Sequence, residues 1–334
     1  MPGDPRPDAR VTHPPARYDR REALRLWWRP TLFALLLGGA ARLLYGRPGR
    51  HPAPDAAGQS RPRDWRVDPA AKGRIVVAGG AGPADNVRRA LAAMGGIGRF
   101  VRRGERVVVK PNVAWDRTPE QAANTDPQLV AEIVRLCLAA GASLVTVADS
   151  TCHEPERTFE RSGVGPAARA AGARVAHQGS GNSVRLDLGG SLLGSWDVLR
   201  SIAEADRVIN VPIVKHHSLG RATLGMKNWF GALDGGRSRL HQRIQQVNAE
   251  LGFAFRPTLT VVDATRILVG GGPTGGSLSL VRATDLVAVA TDPVAADAWG
   301  GSLLGLGPRD LPHLDIAARL GLGTPDWESV AERA

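Results

Sequence analysis

From residue 74 onward, short apolar runs closed by glycine alternate with longer stretches of helical periodicity. "RIVVAGG" (74–80) reads as a strand. "PADNVRRALAAMGG" places Val87, Leu91 and Met94 on one helical face before Gly95 and Gly96 end it. "ERVVVK" reads as a strand. "DPQLVAEIVRLCLAAGA" reads as a helix with Asp126 as its N-cap and Pro127 at its first position. "SLVTVADS", "RVAH", "ADRVINVP", "PTLTVVDA" and "DLVAVAT" follow as strands. "VGPAARAAGA", "DPVAADAWGGSLLG" and "DLPHLDIAARLG" follow as helices, and "ATLGMKNWFG" as a helix entering a glycine turn. Alternation on this scale predicts an α/β domain over 73–330, a mostly parallel sheet with helices on both faces.

The N-terminal pattern is different. "YDRREALRLWWRPTLFALLLGGAARLLYGRPGR" joins the pair Arg20 and Arg21 to an apolar run from Thr31 to Ala41, closed by Arg42. Residues 1–46 read as a twin-arginine-like export signal, although Ala23 stands where a bulkier apolar residue is usual and no clean cleavage site follows. The rival reading is an uncleaved anchor. Trp27 to Tyr45 is nineteen residues, enough to cross a bilayer, and membrane contact would run through 27–45. Either reading puts the main domain outside the inner membrane; an amphipathic helix of a cytosolic protein is the bland alternative. Residues 47–72, rich in Pro, Arg and Asp, read as a linker.

The net charge of +11 raises the question of nucleic acid, and its distribution answers it. Residues 1–72 hold fourteen basic and seven acidic side chains, leaving +4 for the remaining 262 residues. Without a basic run interleaved with aromatics, no nucleic-acid partner is expected. Cys137 and Cys152 form no Cys-x-x-Cys, so no iron–sulfur cluster is expected in this chain, and a disulfide between them stays open. Both tyrosines, Tyr18 and Tyr45, precede the domain.

Candidate chemistry collects at strand ends, where open α/β sheets bind ligands. Lys110 and Asn112, Asp149 and Ser150, Asn210, Asp263, and Thr291 with Asp292 all fall there, Asp292 also reading as a plain N-cap. The chain writes Arg 39 times and Lys four times, and Lys110, Lys215 and Lys227 all lie in these clusters. A lysine kept against such a bias implies a compact ammonium or an amine able to lose its proton. Thr223 and Lys227, four apart, would share a helical face. With His217 and Asn228, these donors suit a small anionic ligand, carboxylate or phosphate. A histidine beside two ammoniums should stay neutral. A divalent metal is the alternative occupant, held by His217 or His216 with Asp149 or Asp292. Adjacent histidines in a strand face opposite ways, so one ion would not take both. "GGGPTGG" (270–276) lacks dinucleotide-binding spacing.

These segments resemble the DUF362 family from about Arg74 to Gly321. Its K-P-N falls on Lys110, Pro111 and Asn112, and its T-D on Thr125 and Asp126. Its K-x-H, T and K-N-x-x-G fall on Lys215, His217, Thr223, Lys227, Asn228 and Gly231. The resemblance makes Asp126 more than a helix cap and favours His217 over His216. Many relatives carry twin-arginine signals and a ferredoxin-like iron–sulfur module; this chain resembles them in the first feature and lacks the second. The expectation is an envelope enzyme with His217, Lys215 and Lys227 in catalysis, His217 as general acid/base that Asp126 or Asp149 would orient, and Lys110, Asn112, Asp126, Thr223 and Asn228 holding substrate. A non-catalytic binding or accessory protein, or the partner of an iron–sulfur redox protein, is the alternative.

Overall fold

A computed structural model of the protein describes residues 60–179 and 181–334. The chain divides into two units, Met1–Ala57 and Gly58–Ala334, and the described residues belong to the second. The expected signal or anchor over 1–46 lies outside them. Among the described residues no helix is long and apolar enough to cross a membrane.

The strands are β1 (Ile75–Gly79), β2 (Arg106–Pro111), β3 (Leu144–Ala148), β4 (Arg174–Ala176), β5 (Ser183–Asp187), β6 (Ser195–Leu199) and β7 (Arg207–Val211), then β8 (Ile213–His217), β9 (Arg221–Thr223), β10 (Leu233–Asp234), β11 (Leu259–Leu268), β12 (Val281–Ala290) and β13 (Ala331–Arg333). The helices are α1 (Gly82–Ala93), α2 (Pro127–Ala139), α3 (Pro155–Arg161), α4 (Val164–Ala170), α5 (Arg200–Ala203), α6 (Gly225–Asn228), α7 (Ile244–Ala254), α8 (Pro293–Ser302) and α9 (His313–Arg319).

The main sheet runs β13-β1-β12-β11-β7-β2-β3-β4, with β8 joined to β11 and β9 to β8. It is parallel except where β12 meets β1 and β11, and in the β8–β9 hairpin. The sheet is therefore mostly parallel, as the strand–helix alternation predicts. Both faces are covered. Val107 and Val109 of β2 pack with Val87 and Leu91 of α1 and Val130 and Val134 of α2. Val108, one residue out of phase, packs on the opposite side with Trp65, Val198 and Phe255. On β11 the same alternation splits Val261 from Val262.

Four features depart from the sequence reading. First, the C-terminal part of the expected linker is core. Trp65 is fully buried, donates from Nε1 to the Ala205 carbonyl at 3.0 Å and stacks on Phe255. Second, Lys215, His216 and His217 lie on β8 itself rather than past a strand end. Proline cannot donate to a ladder, so Pro212 lets the chain step from β7 to β8. There its carbonyl accepts from Asp263 N at 2.8 Å. Third, Thr223 and Lys227 do not share a helix. Thr223 ends β9, opposite Lys215, and α6 is a single turn that begins two residues later. A small antiparallel sheet, β10-β6-β5, was not foreseen; its strands are short and half exposed, so they lack a strong apolar signal.

Candidate functional site

The ends of β2 and β7, the hairpin β8–β9 and the turn α6 bring Lys110, Asn112, Asn210, Lys215, His217, Thr223, Lys227 and Asn228 into one buried region. Its geometry can be followed from Lys215, because an ammonium only donates. Lys215 Nζ donates to Asn112 Oδ1 at 2.9 Å and to the Ala123 carbonyl at 2.5 Å. That fixes the Asn112 amide, whose Nδ2 donates to Asn228 Oδ1 at 2.9 Å. Asn228 Nδ2 then donates to Asn210 Oδ1 at 2.8 Å, and Asn210 Nδ2 to the Gly225 carbonyl at 2.9 Å. Each amide is oriented by the one before it, and the relay ends on α6. Asn112 and Asn228, expected to hold substrate, are instead committed to this framework. Thr125 ties the same strand ends: its hydroxyl accepts from Asn112 N and donates to the Val211 carbonyl, both at 2.8 Å.

Lys110 was expected to hold an anion, and it already has one. Its Nζ is 2.7 Å from Asp149 Oδ1 and 3.0 Å from the Pro111 carbonyl, with no exposure. Burial pulls its pKa down and the Asp149 charge opposes that. Asp149 Oδ2 accepts from Val113 N at 2.6 Å. Gly231 lies so close that a Cβ there would meet Asp149 Oδ1 at 1.8 Å.

Lys215 and Lys227 have no carboxylate. Among the described residues neither forms an ion pair, and Lys227 Nζ sits 4.5 Å over the Phe230 ring without a hydrogen bond. Burial, then repulsion from Lys227, brings Lys215 down to about 7. Burial, opposed by the pull of Cys152 and helped by a lesser repulsion from Arg237, brings Lys227 down to about 8. Arg237 is a third cation here. It donates to the carbonyls of Phe230, Leu233, Ser150 and Thr151 at 2.8–3.2 Å and lies 3.7 Å from Cys152 Sγ. The buried hydroxyls of Thr223 and Ser150 have no hydrogen-bond partner. A region with surplus positive charge and idle donors is built to take a negative group.

His217 is not placed as the expected proton carrier. Its Nδ1 accepts from Leu219 N at 3.1 Å and Gly220 N at 3.0 Å, so its proton sits on Nε2. Burial and the Lys227 charge push its pKa down to about 2, so the ring stays neutral. It stacks on His241 at 5.7 Å, and His241 meets Phe230 at 5.0 Å. Neither Asp126 nor Asp149 bonds to it. Asp126 is the N-cap of α2, accepting from Gln128 N at 2.8 Å, and it pairs with Arg266 at 2.5 Å.

The metal reading fails on the donor set. Asp149 is taken by Lys110. His216 points away from His217 and accepts from Gly272 N at 3.2 Å. Asp292 is a helix clasp: Oδ1 accepts from Val294 N and Ala295 N, and Oδ2 from Thr324 N. Among the described residues no three His, Cys, Asp or Glu side chains gather as a metal would require. Asp292 and the fourth lysine, Lys72, line a separate cleft of about 200 Å³ that includes none of the clustered lysines.

Arg237, His241, Phe230 and Cys152 were missed as site residues. Arg237 was one of 39 arginines and carried no signal. Cys152 and Cys137 are both free, Cys152 exposed at this site and Cys137 buried in the core.

A family model described as "Domain of unknown function (DUF362)" matches residues 107–301. The chain belongs to the DUF362 family. That span contains every residue of the lysine cluster. The thylakoid-associated protein sll1697 of Synechocystis sp. is 28% identical to this member over 246 residues, 71% of this chain and 74% of that protein. Among solved structures, the lactate racemase apoprotein of Thermoanaerobacterium thermosaccharolyticum aligns at 13% identity with a TM-score of 0.44. A Thermotoga maritima protein aligns at 11% and 0.35. This DUF362 chain spans 62% and 60% of those two chains.

Proposed function

We propose that this DUF362 protein is an enzyme that binds a small anionic substrate, carboxylate or phosphate, at Lys215, Lys227 and Arg237. The observation that carries the reading is Lys227: a buried cation with neither counter-ion nor hydrogen bond among the described residues. Leaving a charge so placed is costly, and a bound anion removes the cost. Because His217 is a neutral Nε2–H donor, it would hydrogen-bond substrate rather than take a proton. Proton exchange near neutral pH falls to the two amines, held at about 7 and about 8. The twin-arginine-like segment favours an exported or membrane-anchored setting with the domain outside.

The test is thermal unfolding of the full chain with inorganic phosphate, acetate or oxalate, in the native protein and in Lys227→Met. A saturable rise in Tm that Lys227→Met abolishes is expected. An equal rise in the variant, or none in the native chain, would sink the reading. A non-catalytic ligand-capture role is the second reading, favoured by the tied-up His217 ring; it predicts saturable binding with no turnover of any bound anion.

A further inference from the structure

Within the anion site one group differs from the other two. Lys215 keeps one N–H beyond its bonds to Asn112 and Ala123, and Arg237, its terminal N–H groups taken by carbonyls, adds fixed positive charge; both are held rigidly and suit a carboxylate. Lys227 is different in kind. Its Nζ is held by nothing: one side faces the Phe230 ring, and its stem passes Gly220, where a Cβ would stand 3.6 Å from Lys227 Cε. Gly220 N is also one of the two amides that fix the His217 tautomer, so the same turn borders both the Lys227 stem and the His217 ring, which feels the Lys227 charge. An unbonded amine against an apolar face, next to fixed cations and a neutral N–H donor, is the equipment for attack on a carbonyl carbon adjacent to a carboxylate.

We propose that Lys227 is a nucleophilic amine that forms an imine with the carbonyl carbon of a small 2-oxo acid whose carboxylate sits on Lys215 and Arg237. The proposal rests on the anion-site reading and names its substrate class. The amine lone pair forms the new C–N bond while the C=O π pair moves to oxygen. The two nitrogen protons leave with that oxygen as one water molecule, and C=N remains. His217 Nε2–H donates a hydrogen bond to the oxygen as its charge grows, keeping its own proton. No oxidant or reductant is needed. Burial, with a lesser push from Arg237, keeps a usable share of Lys227 unprotonated near neutral pH.

The experiment is reductive trapping. The full chain is incubated with glyoxylate, pyruvate or 2-oxoglutarate and sodium cyanoborohydride, and the modified lysines are mapped by peptide mass spectrometry. Lys72, an exposed lysine, serves as internal control. The expected result is an adduct at Lys227 at least about tenfold above Lys72. It should be suppressed by oxalate, an unreactive dicarboxylate, and lost in Lys227→Arg. Thermal unfolding with oxalate runs alongside. Lys227→Arg keeps the charge, so it should retain the oxalate-induced rise in Tm while losing the adduct. Oxalate binding without any adduct at Lys227 in the native chain overturns the imine and leaves the anion site standing. An adduct at Lys215 in place of Lys227 overturns the assignment of the nucleophile. No oxalate binding and no adduct overturns both.

Discussion

Asp297 of α8 holds Gly225, the first residue of α6: Oδ1 accepts from Gly225 N at 2.6 Å and Oδ2 from Met226 N at 3.1 Å. His313 Nε2 lies 3.3 Å from the same carboxylate, and a Cβ on Gly225 would meet Asp297 Oδ1 at 2.8 Å. A single helical turn has little stability of its own. This clasp and the Asn210 bond to the Gly225 carbonyl therefore decide where Lys227 and Asn228 point. Asp297→Ala strands two buried N–H groups and should lower unfolding free energy by about 2 kcal/mol or more. If Asp297 positions Lys227, anion affinity should also fall at least about tenfold, a change of about 1.4 kcal/mol. Urea unfolding and a phosphate titration check the two separately; lost stability with unchanged affinity would show that the clasp serves the fold alone.

Gly231 should tolerate nothing larger. A methyl there would overlap Asp149 Oδ1 at 1.8 Å and crowd Lys110 Nζ at 2.7 Å. Neither partner can yield without exposing a buried charge to an apolar surround. Gly231→Ala should cost about 2 kcal/mol or more, although Gly231 has an ordinary negative φ and no backbone strain is relieved by glycine. Chemical denaturation of the variant measures it; a cost under about 0.5 kcal/mol would mean that the pair rearranges freely.

Stability without ligand should rise with pH through the alkaline range. Lys215 and Lys227 titrate at about 7 and about 8 in the fold, below the ordinary 10.5. Between those values the folded chain binds fewer protons than the unfolded one, so raising pH favours folding. Each amine contributes up to about 1.4 kcal/mol per pH unit within its window. Removing the amine in Lys227→Met should raise stability at about pH 7, because the side chain gives up no hydrogen bond and the fold loses an unpaired charge. Saturating phosphate should flatten the native profile by holding both amines protonated. Urea midpoints at steps from about pH 6.5 to about pH 9.5, with and without phosphate, test this; a flat ligand-free profile would mean that neither amine is perturbed.

The sequence by itself determined the sheet class, most of its strands and helices, and the membership of the lysine cluster. Those signals are local. The continuous apolar run of β2, the Asp126–Pro127 start of α2 and the retention of lysine in an arginine-rich chain need no knowledge of distant neighbours.

What each cluster residue does was decided by tertiary structure alone. Lys110 and Lys227 look alike in sequence, yet one meets Asp149, 39 residues away, and the other meets only a ring. His217 reads as an acid/base candidate until the turn after β8 brings two backbone amides onto Nδ1. Asp149 and Asp292 read as metal carboxylates and Asp126 as a substrate holder, and the fold sends Asp126, Asp149 and Asp292 to Arg266, Lys110 and the start of α8. Arg237 gains its place from four carbonyls on two distant segments, 150–151 and 230–233. A side chain's charge state and free hydrogen-bonding capacity depend on partners that sequence spacing does not encode, so composition names the groups and packing assigns their work.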